Sequence, residues 1–167
     1  MITIRFATPD DAAAFLALRH QVDEETRFMM LEPGERQSTV EQERERLINV
    51  AKADNKQTFL AEEAGQLIGW LWANGGDFRR NRHNVHIVIG ILEAHTGQGI
   101  GRRLFEACEQ WARDKQLRRL ELTVMTHNAR GIALYQKMGF EIEGTAQHAM
   151  QVDGEYVDLH YMYKLLA

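Results

Sequence analysis

The sequence predicts a single domain of the α/β or α+β class, a mixed sheet flanked by helices, over residues 1–167. Three observations lead there. Short alternating or β-branched apolar runs are interleaved with helical periodicities along the whole chain. No repeat, low-complexity tract or linker divides it, and its only prolines are Pro9 and Pro33. The composition suits one globular unit: 167 residues, 44% hydrophobic and 26% charged. A chain of that length buries roughly 70% of its unfolded surface without needing staples.

Ile2, Ile4 and Phe6 alternate with polar residues and read as a first strand. Thr8-Pro9-Asp10-Asp11 then has a capping residue, a first-turn proline and acids suited to a helix dipole, so a helix is expected to about His20. Asp23 to Arg36 carries Met29, Met30 and Leu31 among turn residues and reads as a covering loop. A strongly charged helix is expected over Ser38 to Ala53, its Glu41–Arg46 stretch a solvated face with charge pairs one turn apart. Thr58–Glu63 and Leu67–Ala73 form a hairpin around Ala64-Gly65-Gln66, and Asp77–Arg82 is a polar loop. His86 to Leu92 is a short buried strand. Gly97–Gly101 leads into a helix whose stripe is Leu104, Phe105, Cys108, Trp111 and Ala112. Leu120–Val124 is a strand, Ala129–Lys137 a short helix, and two final strands turn at Asp153-Gly154. The expected order is β-α-α-β-β-β-α-β-α-β-β.

Composition excludes several functions. Twenty basic against twenty-four acidic side chains give a net charge of −4, against a general binder of nucleic acid or anionic membrane. One cysteine, Cys108, allows no internal disulfide framework and no cysteine-rich zinc site, and the seven histidines show no metal-ligand spacing. The start has no basic and apolar leader pattern, and the longest apolar run, Ile87–Leu92, is far too short to cross a bilayer. A cytoplasmic location is expected.

Two stretches carry chemistry. Gly97-Gln98-Gly99-Ile100-Gly101 follows a strand and opens a helix. Glycines allow close approach and positive φ, so successive N–H groups can face one anion, and the helix start adds positive potential. The spacing is neither the dinucleotide fingerprint nor a Walker loop. In the second stretch Asn128 stands at a helix start, Tyr135 two turns on, and Gly139-Phe140 at the helix end. Tyr135 reads as a core aromatic, yet a phenol of pKa ~10 is also suited to protonating a departing thiolate.

Together the two stretches resemble the GNAT acetyltransferase superfamily, strongly over Ile87–Phe140 and by element order over nearly the whole chain. The family's Arg/Gln-x-x-Gly-x-Gly/Ala loop is matched by Thr96–Gly101 except at Thr96, and Glu93 stands where proline is common. The Asn128, Tyr135, Gly139-Phe140 spacing is intact. The resemblance implies acetyl-coenzyme A as co-substrate. Backbone at Ile89, Gly90 and Ile91 would pair with the pantetheine arm. Gly97, Gln98, Gly99, Ile100, Gly101 and Arg102 would cradle the diphosphate, Asn128 would hydrogen-bond the cofactor, and Tyr135 would protonate the thiolate as an amine attacks the thioester directly. Cys108 is then a core residue. The base stays open between His86, Glu121 and a water chain; some relatives use a glutamate where this chain has Thr123.

The expected acceptor is the primary amine of a small molecule, with Asp23, Glu24 and Glu25 hinting at a cationic one. An acetyltransferase of protein N-termini or lysines, and a non-catalytic acyl-coenzyme A sensor, are the competing readings. A homodimer is compatible with each.

Overall fold

The computed structural model describes residues 1–167. β1 (Ile2–Phe6) leads to a 3-10 turn over Pro9–Asp11, where Thr8 and Asp11 form a reciprocal capping box. α1 (Ala12–Glu25) runs past the expected end at His20, because Phe15, Leu18 and Val22 continue a buried stripe at helical spacing. The loop expected from Asp23 therefore begins only at Thr26. α2 (Val40–Lys52) starts at Thr39, whose hydroxyl accepts the Gln42 N–H at 3.1 Å while Gln42 Oε1 accepts the Thr39 N–H.

β2 (Lys56–Glu63) and β3 (Gln66–Gly75) turn at Ala64-Gly65, both at positive φ (51° and 79°), the geometry that matches the twist of a tight hairpin. β4 (Asn84–Ile91), α3 (Ile100–Asp114), β5 (Arg119–Met125) and α4 (Ala129–Lys137) follow. β6 (Glu141–Val152) and β7 (Glu155–Leu165) close the chain, and Asp153-Gly154 repeats the positive-φ turn. The element order is the one expected.

The seven strands form one sheet in the order β1-β2-β3-β4-β5-β7-β6. Every neighbouring pair is antiparallel except β4 and β5. On one face α3 and α4 cover the larger core, where Leu104, Phe105 and Cys108 meet Val85, Ile87, Leu120 and Leu122. On the other face α1 packs Phe15, Leu18 and Val22 against Leu60 and Trp70, with α2 beside it.

The Glu41–Arg46 stretch departs from its expected solvated face. Glu43 is 2% exposed and accepts from Arg19 at 3.0 Å and from Arg46, whose guanidinium lies over the rings of Phe15 and Trp72. A carboxylate this deep is tolerated only because it is paired. No helix is long and apolar enough to cross a membrane.

Candidate active site

β4 and β5 pair only at Asn84–Arg119, Val85–Leu120 and His86–Glu121, and then diverge. The hydrogen bonds on their outer sides fix which groups face the gap. Leu92 N–H donates to Ile68 and Gly76 N–H to Asn84, which places the even-numbered residues of β4 in the hydrogen-bonded pairs with β3. The odd-numbered residues therefore turn N–H and C=O toward β5, and beyond the ladder Ile89 and Ile91 have no strand opposite them. The same phase on β5, set by Thr126 N–H donating to Asp158, turns Thr123 and Met125 toward the gap. The sheet thus holds an open edge in its middle, ready to accept an extended chain as an added strand.

Gly90 falls in the opposite phase. Its backbone polar groups pair with Trp70 on β3, so within the run Ile89, Gly90 and Ile91 the donors toward the gap come from Ile89 and Ile91. Its role is room: a Cβ there would lie 2.2 Å from the Trp70 ring.

At the wide end of the gap, the backbone N–H groups of Gly97 through Arg102 make no hydrogen bond within the protein; the first bond of α3 is Arg103 N–H to Gly99 C=O. Gly97 and Gly99 sit at φ 76° and 78° with open space where a Cβ would stand. Gly101 is different. Its Cβ would meet a methyl of Leu134 at 2.7 Å, so this glycine lets α3 and α4 pack closely. The loop exposes a run of unpartnered donors at a helix start, an arrangement whose chemistry suits an anion.

Asn128 caps α4: its Oδ1 accepts the Gly131 N–H at 3.0 Å, while its Nδ2 has no protein partner. Tyr135 is 9% exposed, its ring edge-on to Phe105 (5.7 Å) and Phe140 (6.4 Å). Its hydroxyl makes no hydrogen bond to the protein and is not sealed from solvent. Burial pushes the phenol up to about 12, so at neutral pH it is a proton donor. Sequence reasoning missed Arg130, whose Nη1 donates to Thr96 Oγ1 at 2.7 Å and ties the first turn of α4 to the glycine loop.

Residues 19–140 match the Acetyltransferase (GNAT) family. The chain belongs to this family. It is 34% identical over 105 residues to the L-amino acid N-acetyltransferase AaaT of Escherichia coli (strain K12), an alignment covering 60% of this chain and 63% of AaaT. The chain thus spans under two-thirds of that relative's length. Over its full length, and over all of the other chain, it superposes with a TM-score of 0.96 and 33% identity on the acetyltransferase of GNAT family from Streptococcus pneumoniae. The structure of yncA from Salmonella typhimurium, solved with its cofactor acetyl-CoA, shares the fold: TM-score 0.89, 22% identity, 100% of this chain and 95% of that one.

Within this GNAT fold the remaining candidates separate. His86 and Glu121 are register partners at the closed end of the gap, five residues or roughly 16 Å from Ile91 at about 3.3 Å per strand residue. Glu121 is engaged by Arg119 at 3.3 Å, whereas His86 has no hydrogen-bond partner. Thr123 lies on the same sheet face, the one opposite α3 and α4. The acids expected to hint at a cationic acceptor are partly engaged. Asp23 is buried in a two-point pair with Arg36 (2.7 and 3.1 Å), and Glu25 accepts the Glu93 N–H. Cys108 is fully buried, and burial raises its thiol pKa well above the usual range, which makes it inert. No group of three or more His, Cys, Asp or Glu side chains is placed to hold a metal ion.

Proposed function

We propose that this chain is an acetyl-coenzyme A-dependent N-acetyltransferase acting on the primary amine of a small molecule. One arrangement carries the reading: β4 has an edge unpaired toward β5, the loop after it presents unpartnered N–H groups, and α4, which follows β5, carries a protonated, unpartnered phenol. These groups fit the chemistry of the co-substrate, which supplies an activated acetyl thioester on a long amide-bearing arm ending in a diphosphate.

In this reading Ile89 and Ile91 hold the amides of the arm as an added strand. Gly97 to Arg102 direct backbone donors at the diphosphate, and Asn128 offers its Nδ2 to the arm. The acceptor amine approaches from the face of Thr123 and its β7 register partner Tyr161, opposite α3 and α4. It attacks the thioester carbon directly; the C–S bond breaks, and Tyr135 gives its proton to the departing sulfur. Fixed donors and a positioned acid lower the barrier without a covalent acyl-enzyme, consistent with an inert Cys108. The name of AaaT supports an L-amino acid as the class of acceptor.

The test is thiol release from acetyl-coenzyme A in the presence of pooled amines, with the L-amino acids as one pool. Acceptor-dependent release supports a transferase. Coenzyme A binding with no release for any pool would make the chain a sensor, and the absence of binding would refute the reading altogether.

A further inference from the structure

Arg130 is the second residue of α4, where the helix carries its positive end. A cation there is unfavourable unless an anion answers it, and no carboxylate of the protein does: Arg130 makes no ion pair. Its one hydrogen bond goes to the neutral hydroxyl of Thr96, at 2.7 Å, and that hydroxyl itself donates to Glu93 C=O at 2.8 Å. Four of the five guanidinium N–H groups have no protein partner.

The placement matters because of what Thr96 adjoins. It is the residue before the unpartnered donors of Gly97–Arg102, and it stands where the GNAT loop pattern has Arg or Gln. The segment Thr96–Gly101 carries no charge of its own. Arg102, just beyond it, is drawn along α3 to Glu106 at 2.7 Å. Two nearby guanidiniums meet no carboxylate, Arg103 on α3 and Arg130, and Arg130 is the one that reaches across from α4 and is tied to the loop through Thr96.

We infer that Arg130 is a ligand of the coenzyme A diphosphate, supplying from α4 the cation that the loop lacks, with Thr96 as its positioning residue. This rests on the coenzyme A reading above. Diphosphate charge is then neutralised from two sides, by neutral backbone donors of the loop and by a guanidinium from the opposite lip of the gap. Binding also ties α3 to α4 around the arm.

The experiment compares wild type, Arg130→Ala and the double variant Thr96→Arg/Arg130→Ala. Calorimetry measures coenzyme A affinity, and kinetics use S-acetylpantetheine, which keeps the thioester and arm but has no diphosphate. A charge-assisted hydrogen bond lost to Ala predicts coenzyme A affinity weaker by about 10- to 100-fold. The salt dependence of binding should be shallower, while kcat/KM for S-acetylpantetheine stays within about twofold. An arginine returned at position 96 should recover most of the lost affinity. Unchanged coenzyme A affinity in Arg130→Ala would overturn the inference while leaving the coenzyme A reading intact. Equal losses with both donors would also overturn it, showing that Arg130 acts on the shape of α4. If wild type binds no coenzyme A, both readings fall.

Discussion

Replacing Tyr135 by Phe isolates one hydroxyl. The ring of Tyr135 packs edge-on against Phe105 and Phe140, and Phe keeps both contacts. The hydroxyl has no protein hydrogen bond to lose, so the stability change should stay within about 0.5 kcal/mol, below the usual worth of a made bond. The rate should respond differently. Protonation of a leaving thiolate by a positioned acid is typically worth ~10²–10⁴-fold, or about 3–5 kcal/mol of barrier. The KM for acetyl-coenzyme A should move little, because the open edge of β4 and the N–H groups of the loop do not touch the phenol. The assay is thiol appearance with the best acceptor, run beside a thermal melt. A variant that keeps more than about a third of the wild-type rate would remove Tyr135 from the chemistry and leave it a core aromatic. A large drop in melting temperature would refute the claim that its hydroxyl is unpartnered.

Gly99→Val should weaken coenzyme A binding more than tenfold, since its side chain would enter the open space over the loop, and should cost ~1–2 kcal/mol of stability because φ is 78° there. Calorimetry on the folded variant checks this, and unchanged affinity would place the anion elsewhere. Gly90→Ala should lose ~1–3 kcal/mol in denaturant titration, because its Cβ falls 2.2 Å from the Trp70 ring, with partial recovery on adding Trp70→Leu; wild-type stability would disprove the close packing. Alkaline pH should destabilise the fold. Burial raises the pKa of Tyr135 from 10 to about 12 and raises that of Cys108 too, so folding favours their neutral forms. That contribution is whole below the unfolded values of 9 and 10 and is lost as pH climbs through the folded ones, about 2–3 kcal/mol for Tyr135 by pH ~12. Tyr135→Phe should therefore flatten the fall of the denaturation midpoint above pH ~10, and curves that stay parallel would contradict it.

Local signals carried most of the architecture. The hairpin turns at Ala64-Gly65 and Asp153-Gly154, the apolar stripe of α3 and the Asn128 cap are each written within a few residues, and each is found where those residues stand. The departures come from long-range pairing. α1 outlasts its expected end because Asp23, polar in sequence, is neutralised by Arg36 from the following loop. Glu43 is buried because Arg19 and Arg46 meet it from different turns and helices. Arg46 stands one turn along α2 itself, but nothing within α2 announces Arg19, which comes from α1. Which residues of the Ile89–Ile91 run turn their backbone to the gap depends on strand phase, set by the register with β3, which a single strand does not record. Arg130 did leave a local trace, a cation at the positive end of a helix two residues after the cap, and its meaning emerges only once Thr96 is seen beside it.

The three kinds of glycine in the site show why a motif alone underdetermines chemistry. Gly97 and Gly99 provide positive φ and open space, Gly101 lets Leu134 of α4 approach, and Gly90 admits the Trp70 ring. Only the first pair points at a ligand. What distinguishes the functional region is a run of backbone hydrogen bonds the protein does not make. Ile89 and Ile91 lack a strand on the β5 side, Gly97 to Arg102 lack acceptors, and the Tyr135 hydroxyl lacks a protein partner. Each omission costs stability unless water or a ligand answers it. In the coenzyme A reading, the sulfur, the amides and the diphosphate of one arm, in that order toward the glycine loop, would complement the phenol, the open edge of β4 and the loop donors.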